Sequence, residues 1–422
     1  MRNIQALFIK PQNLVMHPLS GDGYTLLPEF TVHELHQSST LWVGPPVDLD
    51  GDSYDEVFVS YANGGTSTIA KLDKSNYIPR RFTVPNTNSV DRFGMPEWTR
   101  LWANALTDLE GDGRLELLAT ANSPRGMRAR ALLCYDVFSQ TQLWSCVVAP
   151  HVNLVVPVDL NRNGCKEIVC GSYAPCNGIA LEDGTDDGHS YLYAFSSDGE
   201  LKWRVQGGGI FSRTVPVVPP APHVETGLFA YACADGHHSK SGERQFGLIL
   251  SLDAEGKELG RWESDRAIWD CVAWDLAGDG HLEILATDLS GQLLRLDRDL
   301  KSPAKIQICQ EGPNGAVVQL VGLTNLTGQA SRQVVLASWQ VEKGKPVMGN
   351  DPSQKSYVSW HELTIWVFDS KLRFRAKHRV AESLPSGHER PFHLADMDRD
   401  GISEIVYLGT GKVQVFKYRT GL

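Results

Sequence analysis

The stretch Asp48-Leu-Asp-Gly-Asp-Ser-Tyr-Asp-Glu56 sets carboxylates at its first, third, fifth and ninth positions: Asp48, Asp50, Asp52 and Glu56. Alternate carboxylates around a tight glycine turn converge hard oxygens on one point, and calcium takes roughly six to eight such oxygens in a flexible shell. The carbonyl of Tyr54 offers one more. An EF-hand needs a glutamate at the twelfth position and flanking helices. Here that position is Val59, and the flanks alternate as strands do. The competing reading is an Asx-type turn that joins two strands without metal.

The stretch recurs. Asp108, Glu110, Asp112 and Glu116 repeat all four positions, as do Asp396, Asp398, Asp400 and Glu404. Asp275, Asp279 and Glu283 keep three, with Ala277 at the third position. Asp159 and Glu167 keep two, with Asn161 and Asn163 between them. A sixth copy, from Asn325, has no carboxylate. The expectation is calcium in three to five of these loops, in a structural role, because the uncharged copy keeps the same turn and metal would hold carboxylates that otherwise repel.

The elements that position these loops follow from the spacing. The copies lie about 60, 51, 116, 50 and 71 residues apart, and the double gap is filled by a unit near Val215 with apolar flanks and no acidic loop. Seven units of roughly 58 residues are near the repeat lengths of propellers. In each, an apolar segment precedes the loop, an alternating segment such as EILATD follows, and two more short alternating segments complete four strands. The expected fold is therefore all-β: a seven-bladed β-propeller of four-stranded antiparallel blades spanning 1–422, with blades starting near 42, 102, 153, 211, 269, 319 and 390. The last unit has only three strands, so a strand at about 29–36 is expected to complete it and close the ring, leaving 1–28 as an extension across one face.

The Asp loops and their blade spacing resemble the FG-GAP/VCBS repeats of integrin α-chain heads, fungal propeller lectins and several propeller polysaccharide lyases. The ninth-position carboxylate matches that pattern. The resemblance covers nearly the whole chain and implies that ligands use the face opposite the Asp loops. It speaks to fold more than to function, since one fold hosts many activities.

That opposite face gathers long loops rich in Trp, His, Arg and Tyr, the kind of scaffold-borne loop where binding residues concentrate. Six residues before the Asp loops stand Trp42, Trp102, Asn153, Trp269, Gln319 and Arg390, with His151 and His388 two residues further back from Asn153 and Arg390. As ligand groups, Trp42, Trp102 and Trp269 would stack on sugar rings, Asn153 would hydrogen-bond, and Arg390 would pair with a carboxylate. Each tryptophan has a packing alternative between blades, and each histidine a structural one. Uronate elimination needs a cation on the carboxylate, a base for the α-proton and an acid for the leaving oxygen. Arg213 and Arg390 offer the first; His151, His388 and Tyr173 offer the others. No GxSxG, HExxH, P-loop or GxGxxG context is present.

A net charge of −10 argues against nucleic acid as a partner. No apolar run reaches the length of a membrane helix. The N-terminus lacks a signal-peptide core, whereas calcium loops favour an extracytoplasmic setting, so the compartment stays open. The eight cysteines follow no zinc spacing. Cys134 and Cys146 flank a turn and are either a bridge or two small buried residues. The leading expectation is a monomeric calcium-stabilised binding module for a glycan or protein. The alternatives are a polysaccharide lyase or glycosidase acting on an acidic glycan, and a sensor or scaffold domain of a larger protein.

Overall fold

The computed structural model describes residues 102–122, 130–219, 227–234, 246–311, 315–328, 332–340, 362–380, 392–394, 401–407 and 415–417, apart from 103, 138, 140, 298, 302 and 303, together with the backbone of the other strands named below. The loops at Asp48 and Asp396–Asp400, the side chain of Trp42, and residues His388 and Arg390 lie outside the described residues. Among the described residues every regular element is a strand, and no helix is long and apolar enough to cross a membrane.

The chain divides into two compact units, one of Asn3–Glu34 with Asp265–Leu422 and one of Leu35–Ser264. In the first, β1 (Ile9–Pro11) and β2 (Tyr24–Val32) join the three last strands of the chain. In the second, β3 (Trp42–Val43), β4 (Val57–Asn63), β5 (Thr66–Leu72) and β6 (Arg81–Pro85) make one antiparallel sheet, and β7 (Asn88–Val90) pairs with β8 (Pro96–Trp98). Next come β9 (Arg100–Thr107), β10 (Glu116–Asn122), β11 (Arg130–Asp136) and β12 (Gln142–Val148), paired in sequence. Then β13 (His151–Val158), β14 (Glu167–Tyr173), β15 (Ser190–Phe195) and β16 (Leu201–Gly208) form a set, as do β17 (Arg213–Val217), β18 (Leu228–Ala234), β19 (Phe246–Leu252) and β20 (Glu258–Ser264). Pairing of β14 with β17 joins these two sets into one sheet. The first unit resumes with β21 (Ile268–Trp274), β22 (Glu283–Asp288), β23 (Gln292–Leu296) and β24 (Ala304–Gln307), and with β25 (Ala316–Thr324), β26 (Gln333–Val341), β27 (Trp360–Asp369) and β28 (Phe374–Arg379). It ends in β29 (Phe392–Ala395), β30 (Glu404–Gly409) and β31 (Lys412–Tyr418), in the sheet order β1-β2-β31-β30-β29.

The strand expected at 29–36 thus runs Tyr24–Val32 and pairs with β31, from Tyr24 opposite Tyr418 to Phe30 opposite Val413. Pro28 falls where the register shifts between Leu27 and Phe30, a place where a missing N–H costs no ladder bond. Ile9–Pro11 lies in the same sheet, not across a face.

Sheets pack face to face through both sides of their middle strands, so those strands read as nearly continuous apolar runs; every residue of LFAYACA in β18 is buried. Leu118, Leu132 and Cys134 of one set meet Val155, Ile168 and Tyr193 of the next. Val169, Leu192 and Ala194 in turn meet Ala230, Leu248 and Leu250. The outermost strands carry a further lock. Trp144 of β12 donates its indole N–H to Ser197 O (2.9 Å) in the β15–β16 turn, and a Cβ on Gly199 would lie 2.7 Å from the ring. Trp203 of β16 repeats this on the β19–β20 turn, donating to Ala254 O (2.9 Å) over Gly256. Both glycines have positive φ (+87° and +79°), so each supplies the turn and the space at once.

Candidate functional site

The Asp loops close on themselves by one rule. Asp108 accepts from the backbone N–H groups of Gly111 (2.7 Å) and Asp112 (3.2 Å) on Oδ1 and from Gly113 (2.8 Å) on Oδ2. Asp159 and Asp275 bind their own loops alike, through Gly164 (3.0 Å) and Gly280 (2.9 Å) among others. The ninth residue turns back to the second: Glu116 accepts from Leu109 N (2.9 Å), Glu167 from Leu160 N (3.0 Å) and Glu283 from Leu276 N (3.1 Å). In the uncharged copy Gln333 Oε1 does the same for Leu326 N (2.8 Å). Neighbouring loops also interlock, with Lys166 N donating to Leu109 O (2.7 Å) and Ser403 N to Asn325 O (3.0 Å).

Their electrostatics differ. Glu167 is paired with Lys202 (2.9 Å), Glu283 with Arg295 (2.6 Å) and Glu404 with Lys417 (3.1 Å). Glu116 has no ion pair among the described residues. Burial pushes its carboxyl above the ordinary range; the negative charges of Asp108, Asp112 and Glu110 push the same way, against the bond from Leu109. Asp108 is held below its ordinary range, chiefly by the N–H of Gly113. In this geometry no group of three or more His, Cys, Asp and Glu side chains among the described residues is gathered around one point. Asp108 turns both oxygens to backbone amides.

At the opposite end of the strands, pairing sets four residues in a row: His151 opposite Tyr173, Tyr173 opposite Arg213, Arg213 opposite Cys233. Residues directly opposite on antiparallel strands project from one face. His151 and Tyr173 meet edge to face, with centroids 6.5 Å apart. Arg213 is 9% exposed; its Nε donates to Cys233 Sγ (3.4 Å), and its guanidinium lies 5.7 Å from the centre of the Tyr231 ring. Three of the five residues expected to carry elimination chemistry are thus brought together, with Arg213 the most enclosed.

Small residues allow this junction. A Cβ on Gly171 would lie 2.2 Å from Thr214 O, and one on Gly207 1.9 Å from Thr214 Oγ1. Beneath it, the buried hydroxyl of Ser190 meets those of Ser212 (2.7 Å) and Thr214 (2.8 Å). Phe211 takes φ +58° and is tied to Ala174 by backbone bonds from Phe211 N to Ala174 O (2.8 Å) and from Ala174 N to Ser212 O (2.9 Å). A bulky residue in that region is an outlier and marks backbone held by its surroundings.

The long β14–β15 loop is fixed by a buried pair that the sequence did not single out. Arg130, at the start of β11, binds Asp187 (3.1 Å) and donates to Ala149 O (2.6 Å), with side chains 0% and 2% exposed. Asp187 also accepts from the backbone of Asn177, Gly178 and Ile179 (2.9–3.0 Å). The available signal was a lone arginine opening the apolar strand ALLCYD. On the same loop, Asp186 Oδ1 meets His189 Nδ1 (2.8 Å).

The other expected residues divide. Asn153 is exposed and is the extra residue where the β13–β14 register slips, a bulge that re-aims its side chain. Trp102 is half-buried, and its indole N–H has no hydrogen-bond partner among the described residues. Trp269 is 7% exposed and packs edge-on against Trp339 (6.4 Å), so the ring expected to meet a ligand is buried in packing. Gln319 is buried and donates to Phe392 O (2.9 Å), stitching neighbouring strands. None of the eight cysteines is in a disulfide; Cys134 and Cys146 sit diagonally, opposite Trp144 and Leu132, and burial pushes their thiols up to about 12 and about 11.

No protein-family model matches the chain, and no curated protein matches its sequence. Among solved structures it is similar to the Dos1 propeller, with 11% identity, a TM-score of 0.51, and 98% of this chain and 97% of that chain covered. It is also matched to Saccharomyces cerevisiae Sqt1 (8% identity, TM-score 0.47, 92% and 97% covered) and to Bacillus licheniformis rhamnogalacturonan lyase PL11 (12% identity, TM-score 0.37, 99% and 91% covered). With the all-strand antiparallel sheets, the likeness to the Dos1 propeller identifies the fold as a β-propeller.

Proposed function

We propose that the chain is a seven-bladed propeller that binds an acidic glycan at the end of the strands opposite the Asp loops. The observation that carries this reading is the row His151–Tyr173–Arg213, drawn from three strands of two adjacent four-strand sets onto one face. It joins aromatic rings, which stack on sugars, to a cation, which draws carboxylates. Exposed Asn153 lies two residues from His151 and adds a hydrogen-bonding edge. The seven blades are the six four-strand sets from β3 to β28 and a seventh of β29, β30, β31 and β2, with β1 at its edge.

Calcium belongs first to the Asp108 loop. It has four carboxylates, and its ninth, Glu116, lacks the cationic partner that Glu167, Glu283 and Glu404 each have. The hard oxygens suit the ion, which would supply structural charge neutralisation there.

A second reading has one observation in its favour: the same row holds all three residue types of a uronate lyase. The Arg213 cation would offset the substrate carboxylate. His151 would take the α-proton as the C–O bond breaks and the C=C bond forms, and Tyr173 would protonate the departing oxygen. One experiment separates the two readings. The calcium-supplemented chain is titrated calorimetrically with a panel of uronate polysaccharides while ultraviolet absorbance reports unsaturated product. Binding heat without product supports the module, and product establishes the lyase. Tyr173→Phe and His151→Ala each weaken binding about tenfold, the worth of one hydrogen bond to a charged group. A panel with neither heat nor product refutes the acidic-glycan reading.

A further inference from the structure

The outermost strands of a propeller are open edges, and an open edge invites another strand unless charge guards it. Four of the described outer strands are guarded. Their outward positions carry Lys202 and Arg204 in β16, Arg261 and Glu263 in β20, Lys305 in β24, and Arg375, Lys377 and Arg379 in β28. The strand β12 is the exception. Trp144 points inward onto the Gly199 turn, so Leu143, Ser145 and Val147 point outward; Leu143 is 51% exposed and Val147 59%. From Val137 to Val158 the sequence contains no Asp, Glu, Lys or Arg, in a chain where 21% of residues are charged. Among the described residues β12 pairs with β11 alone.

From these observations we infer that β12 is a homotypic docking strand, whose edge pairs antiparallel with β12 of a second copy of this chain. The spacing of its outward residues is self-complementary. A two-fold axis at Ser145 sets that residue opposite its own equivalent and sets Leu143 opposite Val147 of the second copy, so both exposed apolar side chains are covered in one register. A charged peptide would find no counter-ion on this edge. Two copies, each with a net charge of −10, repel least where they meet over a neutral element. One strand pair of seven residues buries less than the roughly 1,600 Å² of a standard interface, so the dimer is weak, with a Kd of about 10–100 μM.

The test is sedimentation of the full chain from about 5 to 300 μM, spanning that Kd. Wild type passes from monomer to dimer across the range, and Val147→Lys shifts the transition at least tenfold higher while leaving circular dichroism and melting temperature in place. Independently, Ser145→Cys forms an interchain disulfide under mild oxidation above the wild-type background, whereas Lys305→Cys on the guarded strand β24 does not. A wild type that stays monomeric throughout overturns the inference. So does a dimer indifferent to both Val147→Lys and Leu143→Lys. A monomeric chain whose β12 amides become protected only on adding an extended foreign peptide overturns it too, and assigns the edge to another partner.

Discussion

The contact of Trp144 with Gly199 gives the sharpest test of how adjacent blades are held. An alanine at Gly199 keeps φ near +87°, which costs an L-residue about 1–2 kcal/mol. Its Cβ would also lie 2.7 Å from the Trp144 ring, so the ring must move. Moving it forfeits the bond to Ser197 O, about 1 kcal/mol, and roughly 1 kcal/mol of apolar burial. Gly199→Ala should then cost about 3–4 kcal/mol. Trp144→Ala, at a half-buried site, should cost about 2–3 kcal/mol. With the ring gone, the steric part of the glycine substitution disappears, and Gly199→Ala in the Trp144→Ala background should cost only the backbone term of about 1–2 kcal/mol. The cycle measured by urea unfolding therefore shows a coupling of about 2 kcal/mol. Equal costs of Gly199→Ala in both backgrounds would refute the argument that the glycine exists to seat the ring. Trp203 and Gly256 provide an internal repeat of the experiment.

Two further perturbations address charge. Glu116→Gln keeps an acceptor for Leu109 N, as Gln333 does for Leu326, and removes one of four crowded carboxylates; in chelator it raises the melting temperature, and in millimolar calcium the order reverses because a ligand is lost. The same residue sets a pH signature. Its folded pKa is raised above the ordinary glutamate value by burial, so its stabilising share is present below the unfolded pKa and lost as pH rises through the folded one. In chelator, wild type gains stability relative to Glu116→Gln as pH falls from neutral toward the ordinary glutamate range, and calcium abolishes that difference. For the buried pair, Arg130→Met strands the Asp187 charge and costs about 3–5 kcal/mol by denaturant unfolding, while adding Asp187→Asn restores part of it.

Periodicity made the sheets legible. The alternation after each Asp loop corresponds to β4, β10, β14, β22 and β30, and the 116-residue gap does hold an unmarked strand set, β17–β20. The limits came from contacts between segments distant in sequence. The strand β2 of the last sheet starts five residues before the expected 29–36 because a bulge accommodates Pro28, which reads locally as a strand breaker. Trp269 and Asn153 occupy equivalent places before their loops, and both are bulge residues, yet one ring is buried against Trp339 and the other side chain is exposed. Sequence position alone does not separate them, since the difference lies in the neighbouring strand. Arg130 and Asp187 are 57 residues apart and carry no motif; only folding brings them together.

The Asp loops show why a pattern that resembles a metal site reports the fold first. Each described loop must solve two problems, closing a tight turn and binding the backbone N–H of its second residue. Aspartate, or asparagine in the sixth copy, begins the turn, while glutamate or glutamine at the ninth position accepts the N–H. A carboxylate buried at the ninth position then creates a third problem, its charge. The chain solves it with Lys202, Arg295 and Lys417 from other strands of the same sheet, and with an amide at Gln333. Among the described loops only the one at Asp108 leaves the charge uncompensated. What separates the described loops electrostatically is therefore the basic side chain that arrives from another strand, rather than the acidic ones within the loop.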